Sequence, residues 1–259
     1  TVPACQAFDP AFAYELAAIV DDGLQRMYGH ADPADNEDVF YYLTVYNETY
    51  EMPPRPDHLS AAEIVAGLYR WADAADCPLR ASVVFSGPAH SAAREAADEL
   101  AQRWGVGVDL WSATSYKRLR EDALAADRYN RLHPGNQPRM PLVTSLLADG
   151  DGPVVAVTDY MTMVPDQVGR WVGRPFRTLG TDGFGRSDTR PALRRFFEVD
   201  AGHVVVAVLA ALAEVGDVDP SVVAEAIDLH GIDPEAPDPG RHDTGPAPGH
   251  GVGHPTSPE

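Results

Sequence analysis

The chain has 259 residues, 44% of them apolar, and a formal charge of −19. That length suits one large or two ordinary domains with a substantial core. The acidic balance argues against nucleic acid and anionic membranes as direct partners, because both are held through Lys and Arg. No continuous apolar run approaches the roughly 18 residues that a membrane span needs. Cys5 and Cys77 are far apart in sequence, which predicts two ordinary buried thiols in a reducing cytoplasm rather than a disulfide. Residues 1–20 lack a basic start followed by a continuous apolar run, so no secretory signal is read and a cytoplasmic location is expected.

The opening Thr1-Val2-Pro3-Ala4-Cys5 shows no helix or strand pattern and no initiator Met, which suggests a fragment or a processed product. Residues 10–28 predict a helix: Phe12, Leu16, Ile19, Val20 and Leu24 recur at helical spacing after an Asp9-Pro10 start signal, and Gly29 stops it. VFYYLTVYN over 39–47 is β-branched and aromatic throughout, the pattern of a strand buried on both faces. Met52-Pro53-Pro54-Arg55-Pro56 is a stiff connector, and 60–75 predicts a short helix within a linker. Strands are then expected at 81–86, 106–113, 153–160 and 176–180. Helices are expected at 89–104, 115–127, 138–149, 163–172, 189–197, 201–215 and 220–229. This alternation predicts a three-layer α/β fold, a parallel or mixed sheet with helices on both faces. The expected divisions are 1–50, a linker over 51–80, a domain over 81–230 and a disordered Pro/Gly/His tail over 231–259.

Several patterns invite chemistry. Gly150-Asp151-Gly152 has the form that opens a thiamine diphosphate and Mg²⁺ motif, but the asparagines that complete it are missing: none occurs after Asn136. A turn is the reading that stands. His242, His250 and His254 are metal-capable, yet their Gly/Pro surroundings supply no ordered support. Ser86 lacks the Gly-x-Ser-x-Gly frame of a nucleophile elbow, and His90 reads as a first-turn or surface residue. His133, ahead of Pro134 in a polar loop, is a weak candidate.

The stretch TLGTDGFGRSDTR (178–190) places Gly180, Gly183 and Gly185 in a G-x-x-G-x-G order, which is neither a Walker loop nor a dinucleotide fingerprint. Ser187 or Asp188 is expected to cap the next helix, with Phe184 tucked inward and Arg186 at the lip. Two readings stand for Asp182, Gly183, Phe184, Gly185, Arg186 and Ser187: a structural turn, or an anion or interdomain contact. Tyr46, Asn47 and Glu48 leave the carboxyl end of a strand, where open α/β sheets place ligands, and form a candidate active-site approach.

The stretches TVPACQAFDPAFAYELAAIVDDGLQRMYG, FYYLTVYNETYEMP, RLHPGNQPRMP, VTDYM and LGTDGFGRSDTRPALRRFFEVD together resemble the E1 component of pyruvate dehydrogenase in its homodimeric bacterial form. The resemblance covers nearly all of residues 1–230. It implies a transketolase-like carboxy-terminal domain preceded by the end of a thiamine pyrimidine-binding domain. It also implies thiamine diphosphate and Mg²⁺ in the intact enzyme, a second E1 subunit, and a lipoyl acetyltransferase E2 as partner. In that family the cofactor motif, the glutamate that protonates the aminopyrimidine and the catalytic histidines lie upstream of the part seen here. No catalytic, cofactor-binding or metal residue is therefore assigned, and the chain alone is expected to be inactive. The alternatives are a split, non-catalytic subunit and an anion-binding interaction module that reuses the domain.

Overall fold

The computed structural model describes residues 2–241. A small parallel pair opens the chain: β1 (Cys5–Phe8) lies beside β2 (Phe40–Leu43), with helix α1 (Ala13–Tyr28) between them in sequence. The α1 start is fixed by Glu15, whose Oε2 accepts the backbone N–H groups of Ala11 (2.5 Å) and Phe12 (3.0 Å), donors that the first helical turn leaves orphaned.

The carboxy-terminal part is a five-stranded sheet in the order β3-β5-β4-β6-β7. Its strands are β3 (Tyr69–Ala72), β4 (Leu79–Phe85), β5 (Val106–Ser112), β6 (Val154–Val157) and β7 (Phe176–Leu179). All neighbours are parallel except β3, which runs antiparallel to β5 at one edge. Successive side chains on a strand face opposite ways, so a strand covered on both sides is apolar throughout. Val83, Phe85, Val155 and Val157 join one core with α3 (His90–Arg103) and α8 (Ala201–Val215). Val84, Val154 and Ala156 join a second core with α4 (Tyr116–Leu132) and α5 (Leu142–Leu147). The expected three-layer mixed α/β architecture is the observed one. The short α6 (Met163–Asp166), α7 (Arg190–Phe196) and α9 (Pro220–Leu229) complete the helical layers.

The structure corrects several expectations. A strand does begin the fold, β1, where none was read. The strand expected over 39–47 is only Phe40–Leu43, and Phe40 and Tyr42 are exposed, because among the described residues β2 pairs with β1 alone. The helix expected over 60–75 is α2 (Ala61–Ala66), capped by Ser60, which accepts the Glu63 N–H at 3.2 Å. It stops at Gly67, whose φ of 110° and close approach to the Ser115 carbonyl (2.9 Å from a Cβ there) exclude any other residue, and the chain turns into β3. The helix expected over 163–172 is α6 followed by a separate turn at Gly169–Trp171.

Phe184 is 85% exposed rather than tucked inward, and Thr189 rather than Ser187 or Asp188 occupies the α7 cap position. His90 does open the first turn of α3, but it is buried rather than on the surface. Cys5 and Cys77 are free but only half-buried. Residues 231–241 are described, with Pro239 packed on Gly183; the rest of the expected disordered tail, including His242, His250 and His254, lies outside the described residues. The stretch Arg190–Val215 is long and apolar enough to cross a membrane. It breaks after Phe196, however, Glu198 takes a left-handed φ of 58°, and Val204, Val205, Val208, Leu209 and Leu212 are fully buried against the sheet. The apolar part is thus α8, a core helix.

Candidate functional site

From β4 the chain crosses to β5 on one side, then returns to β6 on the other. The carboxyl ends of β4 and β6 therefore flank a topological switch point, the place where an open α/β sheet leaves a crevice. Residues 44–50, leaving β2, run across this end and are fastened by hydroxyls. Thr44 Oγ1 donates to Asp9 Oδ1 at 2.5 Å, the Tyr46 hydroxyl donates to the same oxygen, and the Tyr50 hydroxyl donates to the Ala11 carbonyl at 2.7 Å. Asp9 in turn receives the Gly87 N–H at its carbonyl (3.2 Å) and gives its own N–H to Thr114 (2.8 Å). A Cβ on Gly87, where φ is 50°, would collide with the Tyr46 hydroxyl and lie 2.8 Å from the Asp9 carboxyl. Burial pushes the Asp9 carboxyl up from its ordinary range, and the hydroxyls of Thr44, Tyr46 and Ser86 offset this only in part.

A second knot lies deeper. Glu15 is fully buried and accepts the hydroxyls of Tyr69 and Ser112, each at 2.6 Å, besides the two backbone donors of the α1 start. It thus ties α1 to β3 and β5. Burial dominates here too and raises its pKa. His90 packs among Tyr50, Phe12 and Phe85, with ring centroids at 4.5, 5.0 and 6.4 Å, and neither ring nitrogen finds a partner among the described residues. Burial, with the charges of Arg94 and Arg194, lowers its pKa to about 4.

Above these knots opens a cleft of about 290 Å³. One wall is Tyr46, Asn47 and Glu48; another is Gly183, Gly185 and Arg186; α7 contributes Arg190 and Arg194, and Asp159 comes from the end of β6. The two groups of candidates read separately from the sequence thus meet in one place. Arg194 holds both Glu48 carboxylate oxygens, at 2.5 and 3.2 Å, and Arg190 donates to Asn47 Oδ1 at 2.6 Å. Arg190 and Arg194 are four residues apart, which puts both on one face of α7. Arg186 lies 4.1 Å over the Phe196 ring.

Not every candidate belongs to the cleft. Asp182 faces away and accepts the Thr162 N–H (3.0 Å) and hydroxyl (2.6 Å), anchoring the glycine loop. Phe184 and Ser187 are exposed and do not line it. His133 sits at the far end of α4, stacked on Tyr129 with centroids 4.3 Å apart, and contacts no cleft residue. Ser86 is hydrogen-bonded to Thr158 at 2.9 Å, with no histidine bonded to it among the described residues. The sequence reading missed Asp9, Glu15, Asp159, Arg190 and Arg194. Only the arginine pair left a usable signal, its i, i+4 spacing just beyond the glycine loop.

The described residues do not fit the divalent cation that accompanies thiamine diphosphate. Among them no cluster of three or more His, Cys, Asp or Glu side chains could hold a metal ion. The Gly150-Asp151-Gly152 loop is a turn closed by Arg174, which donates to the carbonyls of Gly152 (2.7 Å) and Asp151.

Comparison with known proteins agrees with this architecture. Residues 67–200 match the family model described as transketolase-like TK C-terminal domain, and residues 1–53 match the pyruvate dehydrogenase E1 component middle domain. Among solved structures, a transketolase from Pichia stipitis superposes with a TM-score of 0.54 at 18% identity, covering 82% of this chain and 26% of that one. A transketolase from Campylobacter jejuni gives 0.53 at 15%, covering 80% and 26%. The fold is that of a transketolase-like carboxy-terminal domain.

Curated relatives are nearer in sequence. The pyruvate dehydrogenase E1 component of Mycolicibacterium smegmatis is 48% identical over 234 residues, 90% of this chain and 25% of that protein. Those of Mycobacterium tuberculosis and Escherichia coli K12 are 46% and 43% identical, over 96% and 92% of this chain and 26% of each protein. The chain belongs to the pyruvate dehydrogenase E1 family, and it spans about a quarter of the length of these relatives.

Proposed function

We propose that the chain works as the carboxy-terminal portion of a thiamine diphosphate-dependent pyruvate dehydrogenase E1, in an assembly that decarboxylates pyruvate oxidatively and passes the acetyl unit to lipoyl groups of E2. The observation that carries this reading is identity of 43–48% to E1 components of three bacteria over at least 90% of the chain. Thiamine diphosphate with Mg²⁺ would supply the electron sink for decarboxylation, held by residues other than those described. The part played by this chain's own residues is mechanical. Glu15 and Asp9 fasten the β1–α1–β2 unit to the carboxy-terminal sheet, and Tyr46, Asn47 and Glu48 are held at the rim by Asp9 and α7. Such fastening would keep the end of the middle domain in place for an active site built on it. A homodimeric assembly in the cytoplasm belongs to the same proposal.

The test is an assay of pyruvate decarboxylation with thiamine diphosphate and Mg²⁺. The chain is measured alone, then co-expressed with the amino-terminal three-quarters of a curated relative. Turnover only in the combination is the expected result. Turnover by the chain alone would overturn the assignment of a purely mechanical role.

A further inference from the structure

The cleft is locally positive in a chain whose formal charge is −19. The guanidinium groups of Arg186, Arg190 and Arg194 share it with the carboxyls of Glu48 and Asp159. Burial at the end of β6 raises the pKa of Asp159, moving it toward the neutral form. Two of the arginines have partners that explain them: Arg194 grips Glu48, and Arg190 grips Asn47 with Glu48 3.7 Å from its Nε. Arg186 is different. Among the described residues no carboxylate lies within ion-pair distance of it, and its stacking on Phe196 occupies only the flat face. The in-plane N–H donors of a stacked guanidinium stay available. Beside it, the position of a Cβ on Gly185 meets nothing within 4 Å, so the backbone there is open to a ligand. An interdomain clasp accounts for Arg190 and Arg194. It does not account for a third arginine turned into the same cleft without a counter-charge, at the switch point of the sheet.

We propose that this cleft binds a tetrahedral dianion, inorganic phosphate or the phosphate of a monoester, between Arg186 and Arg190, and that the dianion competes with Glu48 for the arginines of α7. Planar guanidinium forks match the paired oxygens of phosphate, and such charge-assisted bonds are the strong ones. The cleft, at about 290 Å³, leaves room for the organic part of an ester. Because Glu48 and Asn47 belong to the segment leaving β2, a dianion that draws Arg190 and Arg194 toward itself loosens the hold of α7 on residues 44–50. Occupancy is thereby coupled to the joint between the two matched parts of the chain. The inference rests on the geometry of the cleft, not on the reaction proposed above.

The experiment is isothermal titration calorimetry of the 259-residue chain at low salt. Inorganic phosphate and glycerol 3-phosphate are separate arms, with acetate as a carboxylate control. One site is expected for one or both phosphate species, weakening as salt rises, with tighter binding of the ester or of the free ion identifying the source. Arg186→Ala should weaken binding about tenfold or more, and Arg186→Lys by less, since lysine keeps the charge but not the fork. Glu48→Gln should tighten binding several-fold by removing the competitor. Arg177→Ala, whose guanidinium pairs with Glu214 elsewhere on the surface, should leave it unchanged. Arg186 is exposed, so its replacement leaves the core intact. The proposal is overturned if neither phosphate species gives heat with the wild-type chain or with Glu48→Gln. It is equally overturned if Arg186→Ala binds as well as wild type, or if acetate binds as tightly as phosphate.

Discussion

Glu15 and Glu48 both reach from the first 53 residues into the carboxy-terminal layer, yet they are built for different work. Glu15 is fully buried and takes four hydrogen bonds, all from neutral donors fixed at the start of α1, on β3 and on β5. Glu48 has a side chain 25% exposed and is held by flexible arginines at the rim of an open cleft. Removing the acceptor of a buried network strands every donor that pointed at it. Breaking a solvent-facing ion pair costs little, because water and salt take over. One joint thus fixes the geometry of the molecule, and the other can yield to a ligand.

The largest effect should follow from Glu15→Ala. It strands two backbone N–H groups and the Ser112 hydroxyl in the core and leaves the Tyr69 hydroxyl only its bond with Tyr14, and urea denaturation should show a loss of about 3 kcal/mol or more. Glu15→Gln keeps part of the acceptor and should cost less. If both are neutral, the buried joint is not the weld described.

Next in size is a pH effect from His90. Its folded pKa, about 4, lies below its ordinary value of 6.5. A depressed histidine stabilises the fold above the unfolded pKa, and that stability is lost as pH falls from 6.5 toward 4. The loss approaches about 3 kcal/mol at its limit. His90→Phe fits the aromatic surroundings and should flatten this part of the pH–stability curve relative to wild type. Parallel curves would contradict the buried neutral imidazole.

Smaller again is Tyr46→Phe, which removes one of the hydroxyl donors to Asp9 and should cost about 1 kcal/mol. The smallest is Arg194→Ala, at about 0.5–1 kcal/mol and shrinking further in high salt. A loss there equal to that of Glu15→Ala would erase the contrast between the joints.

Much of the fold was legible in the sequence, because the strands carry apolar runs such as Val83–Phe85 and Val154–Val157 and alternate with amphipathic helices. β3 was not, since Tyr69–Ala72 runs straight into Ala- and Asp-rich sequence that reads as helix, and only the left-handed Gly67 separates the two. β2 read as doubly buried because aromatic residues on an exposed face look the same in sequence as those in a core. Both halves of the cleft were visible as isolated candidates, Tyr46–Glu48 and the glycine loop. Their meeting was not, because it depends on a contact across 143 residues between Asn47 and Arg190. Phe184 was misjudged because a ring between two glycines carries no sign of which way the loop faces. Asp9 and Glu15 were passed over as part of a helix start, where acidic residues need no further explanation.

The most direct test of the contrast is a pair of double-mutant cycles, Glu48/Arg194 and Glu15/Tyr69, each measured by urea denaturation without phosphate and then at saturating phosphate. The account predicts that the Glu48–Arg194 coupling falls toward zero when phosphate is present, while the Glu15–Tyr69 coupling stays the same. If both couplings shift together, or if neither responds, the division between a fixed joint and a yielding one is wrong.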